Sequence, residues 1–168
     1  MSSSHTADHL FLKTLKEMFG DSVLLGEEIP ASCFSDWTGH AACRPLALVR
    51  PTSSEEASRL LRLCHEHHRA VVPQGGMKGL AGAAVPSADS IAVSLSRFTG
   101  VESVDRDAAT LTVRAGTTLE VVQNAAKEAG FRYPVDFGAR GSCQIGGTIA
   151  TNAGGHGVIR HGMTRDRV

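Results

Sequence analysis

The chain of 168 residues carries no net charge, few aromatic side chains and no long apolar run. Lysine plus arginine number 17 and aspartate plus glutamate number 17, which argues against nucleic-acid binding through bulk positive charge. Aromatic residues make up 5%, with one tryptophan and one tyrosine. No apolar stretch approaches the ~20 residues of a membrane span. The opening MSSSHTADHLFLKTLKEMFG lacks the basic and apolar regions of a signal peptide. No membrane span is therefore expected, and the cytoplasm is the expected location. Cys33, Cys43, Cys64 and Cys143 show no CxxC spacing, so free thiols in a reducing compartment are expected. Internal repeats are absent as well.

Glycine is what the chain has in quantity: 18 residues, gathered at 75–82 and 138–162 among valine, isoleucine, leucine and alanine. Such interleaving marks ordered loops against a core, since a linker would scatter glycine among Ser and Pro. Around these clusters the apolar periodicity predicts a helix over Asp8 to Phe19, with Leu10, Phe11, Leu15, Met18 and Phe19 at helical spacing. PLALVRP reads as a short buried strand. The following helix has Thr52, Ser53 and Ser54 as N-cap candidates, and Leu60, Leu61 and Cys64 as its apolar stripe. AVVP is the next strand, which completes a right-handed βαβ unit. SIAVSLSRF is a third strand, and VESVDRDAATLTVRAG a pair of strands around a turn at Asp105 to Ala108. TTLEVVQNAAKEAG predicts a helix capped by Thr117 or Thr118, with Leu119, Val122 and Ala126 on one face and Gly130 as its stop.

The stretch VVPQGGMKGLAGAAVP places Gly75, Gly76, Gly79 and Gly82 directly after an apolar strand. Consecutive glycines there bring several backbone N–H groups near one point, a nest that binds anions and most often phosphate. Glycine also lets a bulky ligand touch the main chain. The dinucleotide fingerprint GxGxxG fails because position 77 is Met, and the P-loop fails because Lys78 precedes Gly79 rather than Ser or Thr. A tight surface turn without a ligand is the other reading of this cluster. The second cluster, GSCQIGGTIATNAGGHG, adds Gly146, Gly147, Asn152, Gly154 and Gly155. Asparagine offers both a donor and an acceptor, suited to a ring edge. Two small-residue surfaces point to one long ligand with a phosphate middle and a flat ring at one end. In CHEHH, Cys64 and His68 share a helix face, but no partner pair has matching spacing and no metal site is expected. That run reads as a helix end where histidine and Arg69 favour the C-terminal dipole. His156 and His161 flank the second cluster and are expected at the surface.

RPTSSEEASRLLRLCHEHHRAVVPQGGMKGLAGAAVP together with PVDFGARGSCQIGGTIATNAGG resembles the FAD-binding domain of the vanillyl-alcohol oxidase and p-cresol methylhydroxylase type. The similarity is closest to its D-lactate, glycolate and D-2-hydroxyglutarate dehydrogenase branch and covers about residues 34–168. It implies an α+β fold: a small βαβ subdomain, then the start of a second, mainly antiparallel sheet subdomain with flanking helices, incomplete at its C-terminus. The implied boundaries are 1–43 for the N-terminal helix and connection, 44–98 for the first subdomain and 99–168 for a partial second one. The implied cofactor is FAD. Its pyrophosphate would be wrapped by Gly75, Gly76, Met77, Lys78 and Gly79, with Pro73, Gln74, Leu80 and Gly82 also binding the cofactor. Pro134, Ser142, Gly146, Gly147, Asn152 and Gly154 would line its other side. Asp36 and Trp37 in SDWTG resemble a segment before the family's first strand and are expected to pack.

Family loops commonly carry a third glycine and then Thr or Ser where this chain has Met77 and Lys78. The histidine that members with covalent flavin carry in this loop is missing, so the FAD is expected to be noncovalent. The family's catalytic residues and metal ligands lie beyond the NAGG motif, so no catalytic residue is expected in residues 1–168. The chain is thus expected to be the N-terminal piece of an enzyme, as a truncated product, a split subunit or a cropped segment. The implied function is the flavin-binding portion of an oxidoreductase acting on a 2-hydroxy acid, with the missing downstream polypeptide or a self-associating copy as partner. A catalytically inactive binding module or remnant that no longer holds flavin is the alternative.

Overall fold

Short strands that are apolar on both faces must be covered on both faces, and the first part of the chain supplies both covers. In the computed structural model, which describes residues 2–168, the chain forms two units, one ending at Ser94 and one spanning Leu95–Val168. The first contains α1 (Ser2–Phe19), β1 (Val23–Leu24), β2 (Ala47–Val49), α2 (Ser54–Glu66), β3 (Val71–Gln74) and β4 (Ile91–Ser94). Its sheet has the order β1-β2-β4-β3. β2 and β3 both run parallel to β4, and β1 is antiparallel to β2. Parallel neighbours require a crossover, and α2 provides it between β2 and β3.

Side chains alternate between the faces of a strand. Ala47, Val49, Ile91 and Val93 accordingly join Phe11, Leu15 and Phe19 of α1 and Leu60, Leu63 and Cys64 of α2 in one core. Leu48 and Ala92 point the other way, into a smaller cluster with Ile29, Leu24, Cys33 and Phe34. The stripe of α1 is narrower than its sequence implied, because Leu10 is 62% and Met18 41% exposed. In α2 the stripe is turned by part of a residue step: Leu63 is buried and Leu61 is 52% exposed. Leucines stand at 60, 61 and 63, so spacing allowed either face, and α1 and the sheet decide between them.

Ser53 is the N-cap of α2, its hydroxyl accepting from the Glu56 N–H at 3.1 Å. The Glu56 carboxylate accepts in turn from the Thr52 N–H at 2.7 Å and hydroxyl at 2.9 Å, a reciprocal arrangement that satisfies donors the first turn leaves open. At the other end Arg69 pairs with Asp8 and stacks 5.2 Å above the Phe11 ring. His67 meets the same ring edge-on at 5.2 Å. Burial pushes the Cys64 thiol up to about 11, so it stays protonated at neutral pH.

The second unit starts with the antiparallel pair β5 (Val101–Asp105) and β6 (Thr110–Val113). Asp105 Oδ1 accepts from the N–H groups of Asp107 and Ala108, both at 2.9 Å, the aspartate-led turn that the sequence indicated. Then come α3 (Leu119–Glu128), α4 (Ile145–Ala150) and α5 (Val158–His161). Thr118 is the N-cap of α3 by backbone geometry but makes no side-chain cap bond. The Thr117 hydroxyl is buried and exchanges hydrogen bonds with Gly100 N–H (2.9 Å) and C=O (3.1 Å) instead. Leu119, Val122 and Ala126 are the buried face of α3, as periodicity predicts.

Leu60→Ala should lower unfolding free energy by ~2–5 kcal/mol, whereas Leu61→Ala should stay within ~0.5 kcal/mol of the parent. Urea unfolding followed by circular dichroism reads both. Equal losses would mean that α2 presents a different face to the sheet.

Candidate functional site

β3 is an edge strand, and this is why it can contain Pro73, which has no N–H to donate. The glycine loop leaves from its C-terminal end, the end at which open α/β sheets hold ligands. Gln74 is 1% exposed. Its Nε2 donates to Cys33 O at 2.8 Å and to Ala84 O at 3.0 Å, which ties the start of the loop to its return. Its Oε1 is buried without a hydrogen-bond partner. Between these ties Gly75, Gly76 and Met77 are half-buried, while Lys78, Gly79 and Leu80 are exposed.

The left-handed backbone in this loop falls on Met77 (φ +54°) and Gly82 (φ +73°). At Gly82 glycine is required twice, since a Cβ there would also stand 2.9 Å from the His40 ring. At Met77 the conformation costs ~1–2 kcal/mol that glycine would not incur, and sequence reasoning gave no sign of it. At Gly79 a Cβ would meet only Asp36 Oδ2, at 3.7 Å.

The connection before β2 lies along this loop. Trp37 N–H donates to Gly79 O at 3.3 Å, and Lys78 Nζ sits 5.1 Å from the centre of the Trp37 ring. The Thr38 hydroxyl and N–H both donate to Asp36 Oδ1 and hold its carboxyl below the usual carboxylate range. Trp37 does not pack as expected: it is 67% exposed. The chain's one tryptophan is held to the loop by its backbone, with its indole in solvent.

In the second unit, the turn and isolated bridge at 115–118 receive 143–146. Ile145 N–H donates to Thr117 O, and Gly146 N–H to Ala115 O, both at 2.8 Å. This close approach explains Gly146, whose added Cβ would come within 2.9 Å of Ala115 Cβ and 3.0 Å of its carbonyl oxygen. Gly147, one residue on, has nothing within 4 Å of that position. Packing gives no reason for a glycine there. A Cβ added at Gly154 would stand 2.9 Å from Met163 Sδ, the end of a flexible side chain, and one at Gly155 (φ +103°) would come to 2.2 Å from Asp136 O.

Asn152 adopts φ +50°, and its Oδ1 accepts from Arg165 N–H at 3.0 Å. Arg165 also donates to Ile149 O at 2.9 Å and Ala150 O at 2.6 Å, so it closes the carbonyl end of α4. Arg165 was missed by sequence reasoning, and a lone arginine after a glycine run gives no signal for such a role. The Ser142 hydroxyl donates to Ala139 O at 3.2 Å in an exposed turn, and Pro134 is half-buried. His156 is exposed. His161 titrates below its ordinary value, first through burial and then through repulsion from Arg160, Arg132 and Arg167. Among the described residues no group of three or more His, Cys, Asp or Glu side chains could hold a metal ion.

The profile of the FAD binding domain family matches residues 45–168. The chain is 51% identical over 136 residues to the D-2-hydroxyglutarate dehydrogenase of Xanthomonas citri pv. viticola, an alignment that covers 79% of this chain and 28% of that protein. It is 40% identical over 157 residues to the D-2-hydroxyglutarate dehydrogenase of Stutzerimonas stutzeri, covering 94% of this chain and 33% of that one. The chain thus spans about a third or less of the length of these relatives. Among solved structures, an alkyldihydroxyacetonephosphate synthase superposes with a TM-score of 0.83 at 23% identity, over 93% of this chain and 31% of that one. That likeness establishes the fold, and with it the expected α+β class.

Two neighbouring glycines separate packing from other roles. Gly146→Ala should destabilise by ~1–3 kcal/mol through overpacking against Ala115. Gly147→Ala should be neutral or stabilise by up to ~1 kcal/mol, because alanine suits a helix better and meets nothing there. Thermal unfolding of the two variants measures this, and similar shifts would contradict the placement of α4.

Proposed function

As the chain belongs to the FAD-binding domain family, we propose that it holds FAD without a covalent bond, as the flavin-binding part of an oxidoreductase. Its substrate would be a 2-hydroxy acid of D-2-hydroxyglutarate, D-lactate or glycolate type. The family match across 45–168 carries the reading, and relatives named D-2-hydroxyglutarate dehydrogenase support the substrate class. Pro73 to Gly82 form the cradle for the diphosphate, and Pro134, Ser142, Gly146, Gly147, Asn152 and Gly154 line the cofactor elsewhere.

The residues fit that group on two observations. Gly147 leaves open the space a Cβ would fill, and Gly79 has only an ordinary contact at 3.7 Å, so main chain is approachable at both. Bound FAD supplies a two-electron acceptor. The chain's own part is to bind and orient it: backbone N–H groups of the loop donate to the diphosphate oxygens, each worth ~1.5–3 kcal/mol. The base that takes the substrate's hydroxyl proton comes from a downstream polypeptide, the partner this reading requires. Four free cysteines, two of them buried, favour a reducing compartment such as the cytoplasm. The noncovalent attachment rests on the stretch Gln74 to Ala84, which contains neither His nor Cys.

Titration of the chain with FAD, followed by flavin fluorescence, should give saturable binding. Acid precipitation of the complex should leave the yellow colour in the supernatant. Absence of binding would overturn the FAD reading, and a yellow washed pellet would overturn the noncovalent attachment.

A further inference from the structure

Lys78 is the one cation between Pro73 and Gly82, and none of the ion pairs among the described residues involves it. Asp36, beside Trp37, has its Oδ1 engaged by Thr38 and its Oδ2 buried without a hydrogen-bond partner, and it forms no ion pair with Lys78. Instead the Lys78 ammonium rests 5.1 Å from the centre of the Trp37 ring, within the range of a cation–π contact. The indole is 67% exposed, so burial does not account for a tryptophan at this place. The Trp37 backbone N–H donates to Gly79 O at 3.3 Å, which anchors the tryptophan main chain to the residue that follows Lys78. Indole, ammonium and loop backbone are thereby one assembly.

We propose that Trp37 is a positioning residue for the cofactor's diphosphate: its indole holds the Lys78 ammonium at the lip of the glycine loop, where it pairs with that anion. This rests on the FAD reading above and adds to it a cation and the side chain that aims it. A lysine stem has many rotamers, and an ammonium in open water is well hydrated. Resting it on an indole restricts the stem before the ligand arrives, and such preorganisation is a source of affinity. The contact is soft and solvent-exposed, so the ammonium can lean toward the diphosphate without breaking a salt bridge first.

The test uses the whole chain and the variants Lys78→Met, Trp37→Ala, Trp37→Phe and the double variant Trp37→Ala/Lys78→Met, all exposed positions whose folding is checked by circular dichroism. FAD is titrated at several salt concentrations, and inorganic pyrophosphate is titrated against the emission of Trp37 in the parent. Lys78→Met should weaken FAD binding about tenfold or more and flatten its salt dependence. Trp37→Ala should weaken it less, Trp37→Phe should restore most of that loss, and the double variant should bind no more weakly than Lys78→Met. Pyrophosphate should change the Trp37 emission in the parent and leave it unchanged in Lys78→Met. A Lys78→Met chain with the parent's affinity and salt dependence overturns the proposal. So does full additivity of the two substitutions, which would mean that Trp37 acts alone, by stacking on a ring of the ligand. A parent that binds no FAD overturns the FAD reading and this proposal together; a parent that binds alongside an unaffected Lys78→Met overturns only the latter.

Discussion

A single buried carboxamide holds the candidate site in shape. Gln74 ends β3, is almost wholly excluded from solvent, and bridges Cys33 O and Ala84 O. An amide in such a place destabilises the fold unless it is hydrogen-bonded, so the two acceptors must stay where they are. One belongs to the connection before β2 and the other to the return of the glycine loop. The bond pair therefore fixes a loop of bare backbone at the C-terminal end of a parallel strand. It also keeps the 31–40 connection alongside, and with it Asp36, Trp37 and His40. The loop's own left-handed residues, Met77 and Gly82, are stabilised by that frame.

Glycines in this chain differ in how much the fold itself crowds them. Gly82, Gly146, Gly154 and Gly155 are demanded by neighbours of the protein itself. They let α4 approach Ala115 and let the chain pass Asp136 and Met163. Gly79 and Gly147 are not crowded in that way. A sequence cannot make this division, because both kinds stand in the same runs.

Much of the local structure was nonetheless legible. The Ser53 cap, the Asp105 turn and the buried face of α3 follow from short-range chemistry, and short-range chemistry is written in adjacent residues. The choice between Leu61 and Leu63 was hidden, because a run of leucines fits two helix faces and only the packed partners select one. The insertion of β4 between β2 and β3 was hidden for the same reason: strand order is a long-range property. At the candidate site, the exposed Trp37, the left-handed Met77 and the Arg165 brace left no pattern to read. Each depends on a segment distant in sequence or on a residue type that ordinarily does something else.

The central claim is that backbone N–H groups of the glycine loop cradle the diphosphate of FAD. Amide spectra of the 15N-labelled chain, recorded with and without FAD, test it residue by residue. The account predicts that Gly75, Gly76, Gly79 and Gly147 shift on addition of FAD while Gly20, Gly26 and Gly130 stay in place. Shifts confined to residues outside 73–82 and 134–154, with the loop glycines unmoved, would contradict it.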